Sequence, residues 1–347
     1  MLHLGRYPTP ITELVHASEA AGLPRGSIFA KRDDLTSDLY GGNKVRKLER
    51  LLDEARARGA RRIVTIGAVG SHHVIATALF GRNAGFEVDA ILAPQADTPH
   101  AQAVARVGAT LGFTPYPVSS YAGVPLAVAR RLGGGAFLIS PGGSSVTGSL
   151  AYVDAGLELA AQIAAGECPR PASVVVALGS GGTAAGLLVG LERAGLLVGS
   201  EGQPPIELIA VQVVDPPFAS AAATLSLALA IQRRLGARLS RAMLTRMSQA
   251  LRIARGYLGG GYGSPTEAGI EATRLAALDG LVLDPTYTAK TFAAAVDAAR
   301  SHRVSGPVLF WMTLSAPEPF ERLLAGAPAL GDLDPQVRRL FVPPSGS

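Results

Sequence analysis

The chain is poor in the residues that hold small secreted proteins and thiolate metal clusters together. It has one cysteine, Cys168, among 347 residues, so no disulfide can form within the chain and no thiolate cluster can be assembled. Hydrophobic residues make up 48% of the sequence and charged residues 17%, which gives enough apolar surface to offset the entropy of an ordered chain. We therefore expect a globular protein, and the length allows two domains.

Concentrated basic segments are missing, although the formal net charge is +5. The arginines lie singly or in pairs such as Arg61-Arg62 and Arg130-Arg131, without a basic stripe interleaved with aromatic residues. We therefore expect no nucleic-acid partner. A phosphate-bearing cofactor would suit the mild excess of positive charge equally well.

Signals for export or membrane insertion are also missing. The first ten residues lack the basic segment and apolar run of a secretory signal, so we expect a cytoplasmic protein. The uncharged stretch 173–191 is long enough to cross a bilayer, but Gly179-Ser180-Gly181-Gly182 lies at its centre. Glycines weaken a membrane helix and suit a strand, a loop and then a helix from about Thr183. We expect no membrane partner.

Short β-branched runs alternate with alanine-rich segments. Predicted strands at 62–66 and 88–93 are followed by predicted helices at 74–84 and 99–107. A second series of apolar runs lies at 173–178, 206–213, 281–283 and 308–312. The alternation predicts an α/β fold with parallel-rich, twisted sheets flanked by helices, and a boundary near residue 150. The chain after Gly331 is expected to be peripheral.

Lysine is scarce, and this narrows the possible chemistry. The guanidinium of arginine stays protonated and forms no Schiff base, so imine chemistry would require one of four lysines. These are Lys31, Lys44, Lys47 and Lys290.

Lys44 lies at the predicted start of an amphipathic helix. It follows Gly41-Gly42-Asn43, and apolar residues recur at 45, 48, 51, 52 and 55. With Asn43 as N-cap, Lys44 would lie in the first turn, where the helix dipole disfavours an ammonium ion and lowers the lysine pKa. On this local pattern alone, an ordinary solvated lysine is the simpler interpretation. Lys47, in mid-helix, is predicted to be a surface charge on the polar face.

Two runs around Lys44 resemble the signature of a known family. They are Lys31-Arg32-Asp33-Asp34-Leu35-Thr36 and Gly41-Gly42-Asn43-Lys44-Val45-Arg46-Lys47-Leu48-Glu49. They are similar to the D-cysteine desulfhydrase and 1-aminocyclopropane-1-carboxylate (ACC) deaminase family, fold type II enzymes that depend on pyridoxal 5′-phosphate (PLP) and resemble the tryptophan synthase β-subunit in architecture. Further matching blocks, in family order from about Tyr7 to Pro317, are Ile66-Gly67 before Ser71, Pro141-Gly142-Gly143-Ser144, 148–152, 179–186, Gly261-Tyr262-Gly263, Pro265-Thr266-Glu267, Leu283-Asp284-Pro285 and Tyr287-Thr288 with Lys290.

The resemblance implies a two-domain fold type II enzyme with PLP in the cleft between the domains. The larger, PLP-binding domain would comprise residues 1–46 and 151–347, and the smaller α/β domain residues 47–150. Lys44 would be the Schiff-base lysine. A homodimer is also implied.

The resemblance assigns further residues to the cofactor. Asn43 and His72 would hold its phenolic oxygen, and Thr288 would lie near its pyridine nitrogen. The phosphate would be bound by a loop at a helix amino terminus, where free backbone N–H groups stabilise anions. That loop consists of Gly179, Ser180, Gly181, Gly182 and Thr183.

Three further side chains are implied to act on the substrate. Ser71 would lie on the face of the cofactor opposite Lys44, and it is also a natural N-cap for the helix that follows. Tyr262 and Tyr287 would position the substrate or transfer protons. Tyr287-Thr288 is similar to the desulfhydrase branch, whereas the deaminase branch has Tyr-Glu. Because a hydroxyl does not keep the pyridine nitrogen protonated as a carboxylate does, the pair favours elimination of a good leaving group.

The chain departs from the family pattern at two places. The usual Ser-Asn-His-Ala-Arg-Gln is replaced by Ser71-His72-His73-Val74-Ile75-Ala76, and the usual His-Thr-Gly-Gly-Ala-Pro by Met312-Thr313-Leu314-Ser315-Ala316-Pro317. His72 either takes over the bond of the asparagine to the cofactor or turns away, and we favour takeover because a buried oxygen without a partner is costly. The adjacent histidines point in different directions on a helix, so we expect no metal site.

The predicted function is a PLP-dependent lyase or deaminase acting on a small amino acid. Lys44 would remove the α-proton, and a β-substituent such as a thiolate would leave, giving an oxoacid and ammonia. The alternatives are ACC deamination, amino-acid racemisation, and a PLP-binding protein whose catalysis has been altered. The two departures leave the substrate and its enantiomer open.

Overall fold

The computed structural model describes residues 2–199, 203–215, 219–301 and 306–343. In these ranges the strands are β1 (Ile11–Glu13), β2 (Ile28–Arg32), β3 (Arg62–Ala68), β4 (Glu87–Ala93), β5 (Gln95–Ala96), β6 (Thr114–Pro117), β7 (Ala136–Ile139), β8 (Ser173–Leu178), β9 (Glu207–Gln212), β10 (Leu251–Ala254), β11 (Val308–Met312) and β12 (Phe341–Val342). The helices are α1 (Val15–Ala20), α2 (Asn43–Ala57), α3 (His72–Asn83), α4 (Pro99–Ala109), α5 (Val124–Arg131), α6 (Val146–Ala164), α7 (Gly182–Arg193), α8 (Ala221–Arg234), α9 (Arg241–Ala250), α10 (Glu267–Ala277), α11 (Thr288–Arg300), α12 (Pro317–Ala325) and α13 (Pro335–Arg338).

The larger sheet has six strands in the order β1-β2-β11-β8-β9-β10. Only the β1–β2 pair is antiparallel. Both faces are covered, which explains why β8 and β11 are almost wholly apolar. On one face α7 packs against α6, and the two backbones approach so closely at Gly190 that a Cβ there would lie 2.6 Å from the Val153 carbonyl oxygen. The other face packs against α11.

The smaller sheet has four parallel strands in the order β6-β4-β3-β7. Helices α2, α3 and α4 contribute to the core on one side of it, and α5 packs on the other. The predicted α/β fold with parallel-rich sheets and flanking helices is therefore confirmed. The strand, loop and helix predicted for 173–191 are also present, as β8 and α7. No helix in the described ranges combines the length and hydropathy needed to cross a bilayer.

Two local predictions are wrong. Residues 281–283 form no strand, although Leu281 and Leu283 are buried in the core beside α11. The chain after Gly331 is not peripheral, because Leu333, Val337 and Leu340 are buried against the smaller sheet and β12 pairs with β5. An apolar run marks burial, but it does not say whether a strand, a helix or a loop carries it.

The carboxyl ends of three parallel strands meet at one edge of the structure. β3 leads to Ser71 and α3, β8 leads through the 179–181 loop to α7, and β11 leads to Thr313. The Thr313 carbonyl oxygen accepts a hydrogen bond from the backbone N–H of Asn43 at 3.0 Å, which brings the start of α2 to the same place. In open α/β sheets this edge is where ligands bind.

Candidate active site

Lys44 lies in the first turn of α2, as predicted, but the helix begins differently. Gly42, not Asn43, is the N-cap, and its φ of 95° lies in the region that favours glycine. A Cβ on Gly42 would lie 2.7 Å from the Thr313 carbonyl oxygen, so the close approach of the two segments requires glycine. The turn thereby holds Lys44 at the carboxyl end of β11.

The amine of Lys44 is in an environment that favours its neutral form. Its Nζ donates to Asn43 Oδ1 at 2.5 Å. Burial lowers the pKa of Lys44 to about 8, and the carboxylate of Asp284 only partly opposes this effect. The direction agrees with the expectation from the helix dipole, but the main cause is desolvation.

Asn43 connects Lys44 to the glycine loop at the start of α7. Its Nδ2 donates to Thr183 Oγ1 at 3.2 Å. Gly181 caps α7 with a φ of 84°, which leaves the first backbone N–H groups of the helix directed outward. Within the described part of the chain, the N–H groups of Thr183 and Ala184 have no hydrogen-bond partner. Two orphan donors at a helix amino terminus are what a phosphate requires.

Ser144 is a second hydroxyl at this loop, and no role was predicted for it. Its Oγ accepts from the backbone N–H of Gly182 at 3.0 Å and contacts Ser180 Oγ at 2.7 Å. A Cβ on Gly182 would lie 2.5 Å from the same oxygen, so only glycine fits. The Pro141-Gly142-Gly143-Ser144 block in the sequence was the available signal.

Ser71 is the N-cap residue of α3, as predicted, but its side chain makes no capping hydrogen bond. A Cβ on Gly67 would lie 2.8 Å from Ser71 Oγ, so glycine at the end of β3 makes room for this hydroxyl.

His72 has protein partners at both ring nitrogens. Nδ1 lies 2.5 Å from Tyr40 Oη, and Nε2 lies 2.9 Å from His100 Nε2. A bond from His72 to a cofactor oxygen would require one of these contacts to open. The takeover of the asparagine role by His72 stays a prediction. Among the described residues, no group of three or more His, Cys, Asp or Glu side chains is placed to bind a metal ion.

The two predicted tyrosines form a pair beside the glycine loop. Tyr262 Oη and Tyr287 Oη are 2.6 Å apart, and burial raises the pKa of both phenols. The ring of Tyr287 borders Gly179, where a Cβ would lie 3.6 Å from Tyr287 Cε1. Both hydroxyls therefore stay protonated at neutral pH and can donate.

Thr288 is hydrogen-bonded to Asp284, a residue to which the sequence analysis assigned no role. Thr288 Oγ1 donates to Asp284 Oδ2 and accepts from the Asp284 backbone N–H, both at 2.7 Å. The Asp284 carboxylate also accepts from the backbone N–H groups of Thr286, Tyr287 and Thr288. Burial alone would raise the pKa of Asp284, but the neighbouring His100 and His72 and the bonds from Thr288 hold it below its ordinary value. The Thr288 hydroxyl is thus already committed to a carboxylate.

A profile of the family described as "Pyridoxal-phosphate dependent enzyme" matches residues 2–313. The chain belongs to this family. A D-cysteine desulfhydrase of Salmonella choleraesuis (strain SC-B67) is 36% identical over 326 residues, which are 90% of this chain and 93% of the relative. A D-cysteine desulfhydrase of Salmonella paratyphi C (strain RKS4594) is 35% identical over the same shares of both chains. The predicted dependence on PLP is thereby confirmed.

Solved structures agree with this family membership. The crystal structure of an ACC deaminase homologue has a TM-score of 0.75 and 29% identity, and covers 93% of this chain and 95% of that chain. Threonine deaminase isoform 2 from Solanum lycopersicum has a TM-score of 0.57 at 14% identity, covers 91% and 82%, and shows a shared fold alone. The predicted membership of the fold type II PLP enzymes is confirmed.

The residues at this edge fit the cofactor of the family. An amine with a lowered pKa at Lys44, an amide at Asn43 and unpaired N–H groups at Thr183 and Ala184 complement an aldehyde, a hydroxyl and a phosphate in turn. The glycines of the 179–182 loop keep the backbone accessible. The predicted site residues lie at the starts of α2, α3, α7 and α11 and in the loop that carries Tyr262.

The prediction for Lys47 is wrong. Its side chain is buried, with 2% of the residue exposed, and Nζ donates to the Gly142 carbonyl oxygen at 3.1 Å. Burial, together with the charge of Lys44, holds the pKa of Lys47 well below its ordinary range. The helix face that carries Lys47 is covered by the 141–143 turn and by Tyr152 of α6. A helical periodicity cannot reveal that the polar face is also covered.

Proposed function

We propose that this enzyme catalyses α,β-elimination on a small amino acid, in the manner of a D-cysteine desulfhydrase, releasing hydrogen sulfide, an oxoacid and ammonia. The named relatives support this substrate class, since they match nine-tenths of the chain. The observation that carries the proposal is the amine of Lys44, whose pKa is lowered by burial and which is linked through Asn43 to the unpaired N–H groups at the start of α7. One water molecule balances the reaction, because it enters when the released enamine hydrolyses to the oxoacid.

The residues of the site divide between holding the cofactor and handling protons. Lys44 would hold PLP covalently, Asn43 would bind its phenolic oxygen, and the 179–183 loop would bind its phosphate. Bound PLP supplies an acceptor for the electrons left when a bond at the α-carbon breaks. The amine of Lys44, which the amine of the substrate would replace on the cofactor, would then take the α-proton, for which a pKa near 8 is suitable at neutral pH.

Tyr262 and Tyr287 would donate a proton to the leaving group. A thiolate leaves more readily when a proton donor is at hand, and Tyr262 and Tyr287 share a 2.6 Å contact with both hydroxyls protonated. Ser71, whose hydroxyl is free of a capping bond, would position the substrate. Thr288 would lie by the pyridine nitrogen as a hydroxyl rather than a carboxylate, which supports elimination over ring opening.

Three related functions use the same residues. ACC ring opening is favoured by the structural similarity to the ACC deaminase homologue and opposed by Thr288. Racemisation shares proton removal by Lys44 but returns the proton to the α-carbon. A PLP-binding protein with altered catalysis is motivated by His72, whose ring nitrogens are occupied by Tyr40 and His100.

The proposal includes the setting of the enzyme. We place it in the cytoplasm as a homodimer, with a PLP-binding domain of residues 1–46 and 151–347 and a smaller domain of 47–150. The four strands of the smaller sheet, β3, β4, β6 and β7, all lie within residues 47–150, which supports the division. The segment from α12 to β12 belongs to the larger domain by its position in the sequence, but it packs against the smaller domain.

The test is reduction of the purified enzyme with borohydride, followed by mass mapping of the four lysines. We expect the cofactor adduct on Lys44. Lys47 is the internal control, since its amine is also buried with a lowered pKa but bonds to the Gly142 carbonyl oxygen and not to Asn43. Product analysis on D-cysteine, ACC and enantiopure alanine and serine then separates the reactions. An adduct on another lysine, or ammonia release from ACC alone, would overturn the proposal.

A further inference from the structure

Three side chains form a hydrogen-bonded chain beside Ser71. Tyr40 Oη contacts His72 Nδ1 at 2.5 Å, and His72 Nε2 contacts His100 Nε2 at 2.9 Å. The ring of Phe320 packs against both imidazoles, with centroids 5.7 Å from His72 and 6.5 Å from His100. His72 begins α3 and His100 is the second residue of α4, so two helix amino termini meet here.

Each of the two contacts must carry one proton, and this fixes the direction of the chain. Tyr40 is 1% exposed, and within the described residues its hydroxyl has no partner other than His72. If Tyr40 accepted from His72, its own proton would be buried without an acceptor, which is costly. Tyr40 therefore donates to His72 Nδ1. The single proton of neutral His72 then lies on Nε2.

The order of protons continues to His100. Because His72 donates from Nε2, His100 Nε2 must accept and carries no proton, so the ring proton of His100 lies on Nδ1. In the described chain His100 Nδ1 has no hydrogen-bond partner, and the residue is only partly buried. Burial is the main cause that lowers the pKa of His72 to about 3, which keeps His72 neutral and preserves this order.

His100 lies one hydrogen bond away from the start of α3, where the candidate active site begins. His72 adjoins Ser71, and the charge of Asp284, which holds Tyr287 and Thr288, acts on His72. A fixed N–H donor at the start of α4 attracts an anion and disfavours an ammonium group. The acceptor that an amino acid offers to such a donor is a carboxylate.

We propose that His100 is a specificity-determining residue whose Nδ1–H donates to a carboxylate of the amino-acid substrate, with Tyr40 and His72 as positioning residues that fix its tautomer. This inference rests on the proposed function for the identity of the ligand. The carboxylate is either the α-carboxylate or a carboxylate on the substrate side chain.

The first measurement is the tautomer of each histidine in the PLP-loaded enzyme, read from ¹⁵N chemical shifts of labelled histidine. We expect His72 protonated on Nε2 and His100 on Nδ1. The variant Tyr40→Phe removes the donor that fixes the order, so His100 should show a mixture of tautomers although residue 40 touches no ligand. An Nδ1 without a proton in the unsubstituted enzyme would overturn the proposal.

The second measurement is ligand affinity in His100→Phe, which keeps the aromatic packing and removes the donor. The probes are D-alanine, D-aspartate and cysteamine, which carry one, two and no carboxylates. We expect the Kd of D-aspartate to rise about tenfold to a hundredfold and that of cysteamine to stay unchanged. An equal loss for D-alanine identifies the α-carboxylate, and a loss for D-aspartate alone identifies the side-chain group. Equal weakening of cysteamine, or no weakening of any probe, would overturn the proposal.

Two controls complete the design. His100→Asn places an amide N–H near the position of Nδ1 and should restore part of the affinity. His16→Phe changes an exposed histidine of α1 and should leave every Kd unchanged. A cofactor adduct missing from Lys44 would refute the proposed function while the tautomers could still be read. If adding PLP alone shifted His100 Nδ1, its partner would be the cofactor and the carboxylate assignment would be wrong.

Discussion

Helix α2 carries basic side chains buried on two sides, and burial has opposite outcomes for their pKa values. Arg46 lies on one side, which we call the ionic side, and Lys44 and Lys47 lie on the other, the reactive side. Arg46 donates to Asp33 and Glu158 at 2.8 to 3.1 Å, so its charge is fully compensated. Burial opposes this charge, but the two carboxylates raise the pKa of Arg46 well above its ordinary value. Among the described residues, the hydrogen-bond partners of Lys44 and Lys47 are an amide oxygen and a carbonyl oxygen and no carboxylate. Their pKa values are lowered by burial instead.

The comparison shows that burial by itself does not decide whether a side chain is ionised. A buried cation with two carboxylates stays charged and fixes the structure, whereas a buried amine without one becomes a base. Asp33 additionally accepts from Tyr152 and Trp311, which anchors the ionic side to α6 and β11. The rigid ionic side thus supports a reactive side two residues away on the same helix.

The largest expected effect comes from removing the reactive amine. Lys44→Arg keeps a long cation but cannot hold PLP covalently or accept the α-proton, so D-cysteine consumption should fall roughly a thousandfold. Hydrogen sulfide release measures this loss, and circular dichroism checks that the fold is intact. A rate within about tenfold of the unsubstituted enzyme would contradict the assignment of Lys44.

The next effect concerns the ionic side. Asp33→Asn leaves Arg46 buried with half of its compensation, and we expect the free energy of unfolding to fall by about 3–5 kcal/mol. Urea unfolding of the variant measures this loss. The substitution keeps the backbone hydrogen bond from the Gly42 N–H to the Asp33 carbonyl oxygen, so the turn before Lys44 should keep its conformation. A change below about 1 kcal/mol would mean that Glu158 compensates Arg46 alone.

The sequence predicts the local turns of the candidate site better than its long-range contacts. The Gly41-Gly42-Asn43-Lys44 turn and the 179–183 loop are local patterns, and both lie at helix starts as expected. The burial of Lys47 and the partners of His72 depend on residues far along the chain, such as Gly142 and His100. Local periodicity carries no information about such contacts, which is why the strand at 281–283 and the peripheral carboxyl segment were also predicted wrongly.

A smaller effect should appear in the pH dependence of the apoprotein. The pKa of Lys44 is about 8 in the folded chain, against 10.5 for an ordinary lysine. Between these values the unfolded chain binds more protons, so the free energy of unfolding rises with pH, by at most about 1.4 kcal/mol per pH unit from this residue. Lys44→Met should flatten this rise without removing it, because the pKa of Lys290 is also lowered to about 8 by burial. Denaturation at pH 7 to 10.5 measures both slopes, and identical slopes would contradict the low pKa.

The smallest expected effect distinguishes the two sides most directly. Lys47→Met replaces a buried, neutral amine by an apolar chain of similar length, so the free energy of unfolding should change by less than about 1 kcal/mol. The loss of the bond to the Gly142 carbonyl oxygen is offset because no amine has to be desolvated. Arg46→Met, one position earlier, is the matched variant and should cost about 3–5 kcal/mol, since Asp33 and Glu158 lose their cation. Equal losses in both variants would mean that Lys47 is charged in the folded protein and that the two sides of α2 do not differ.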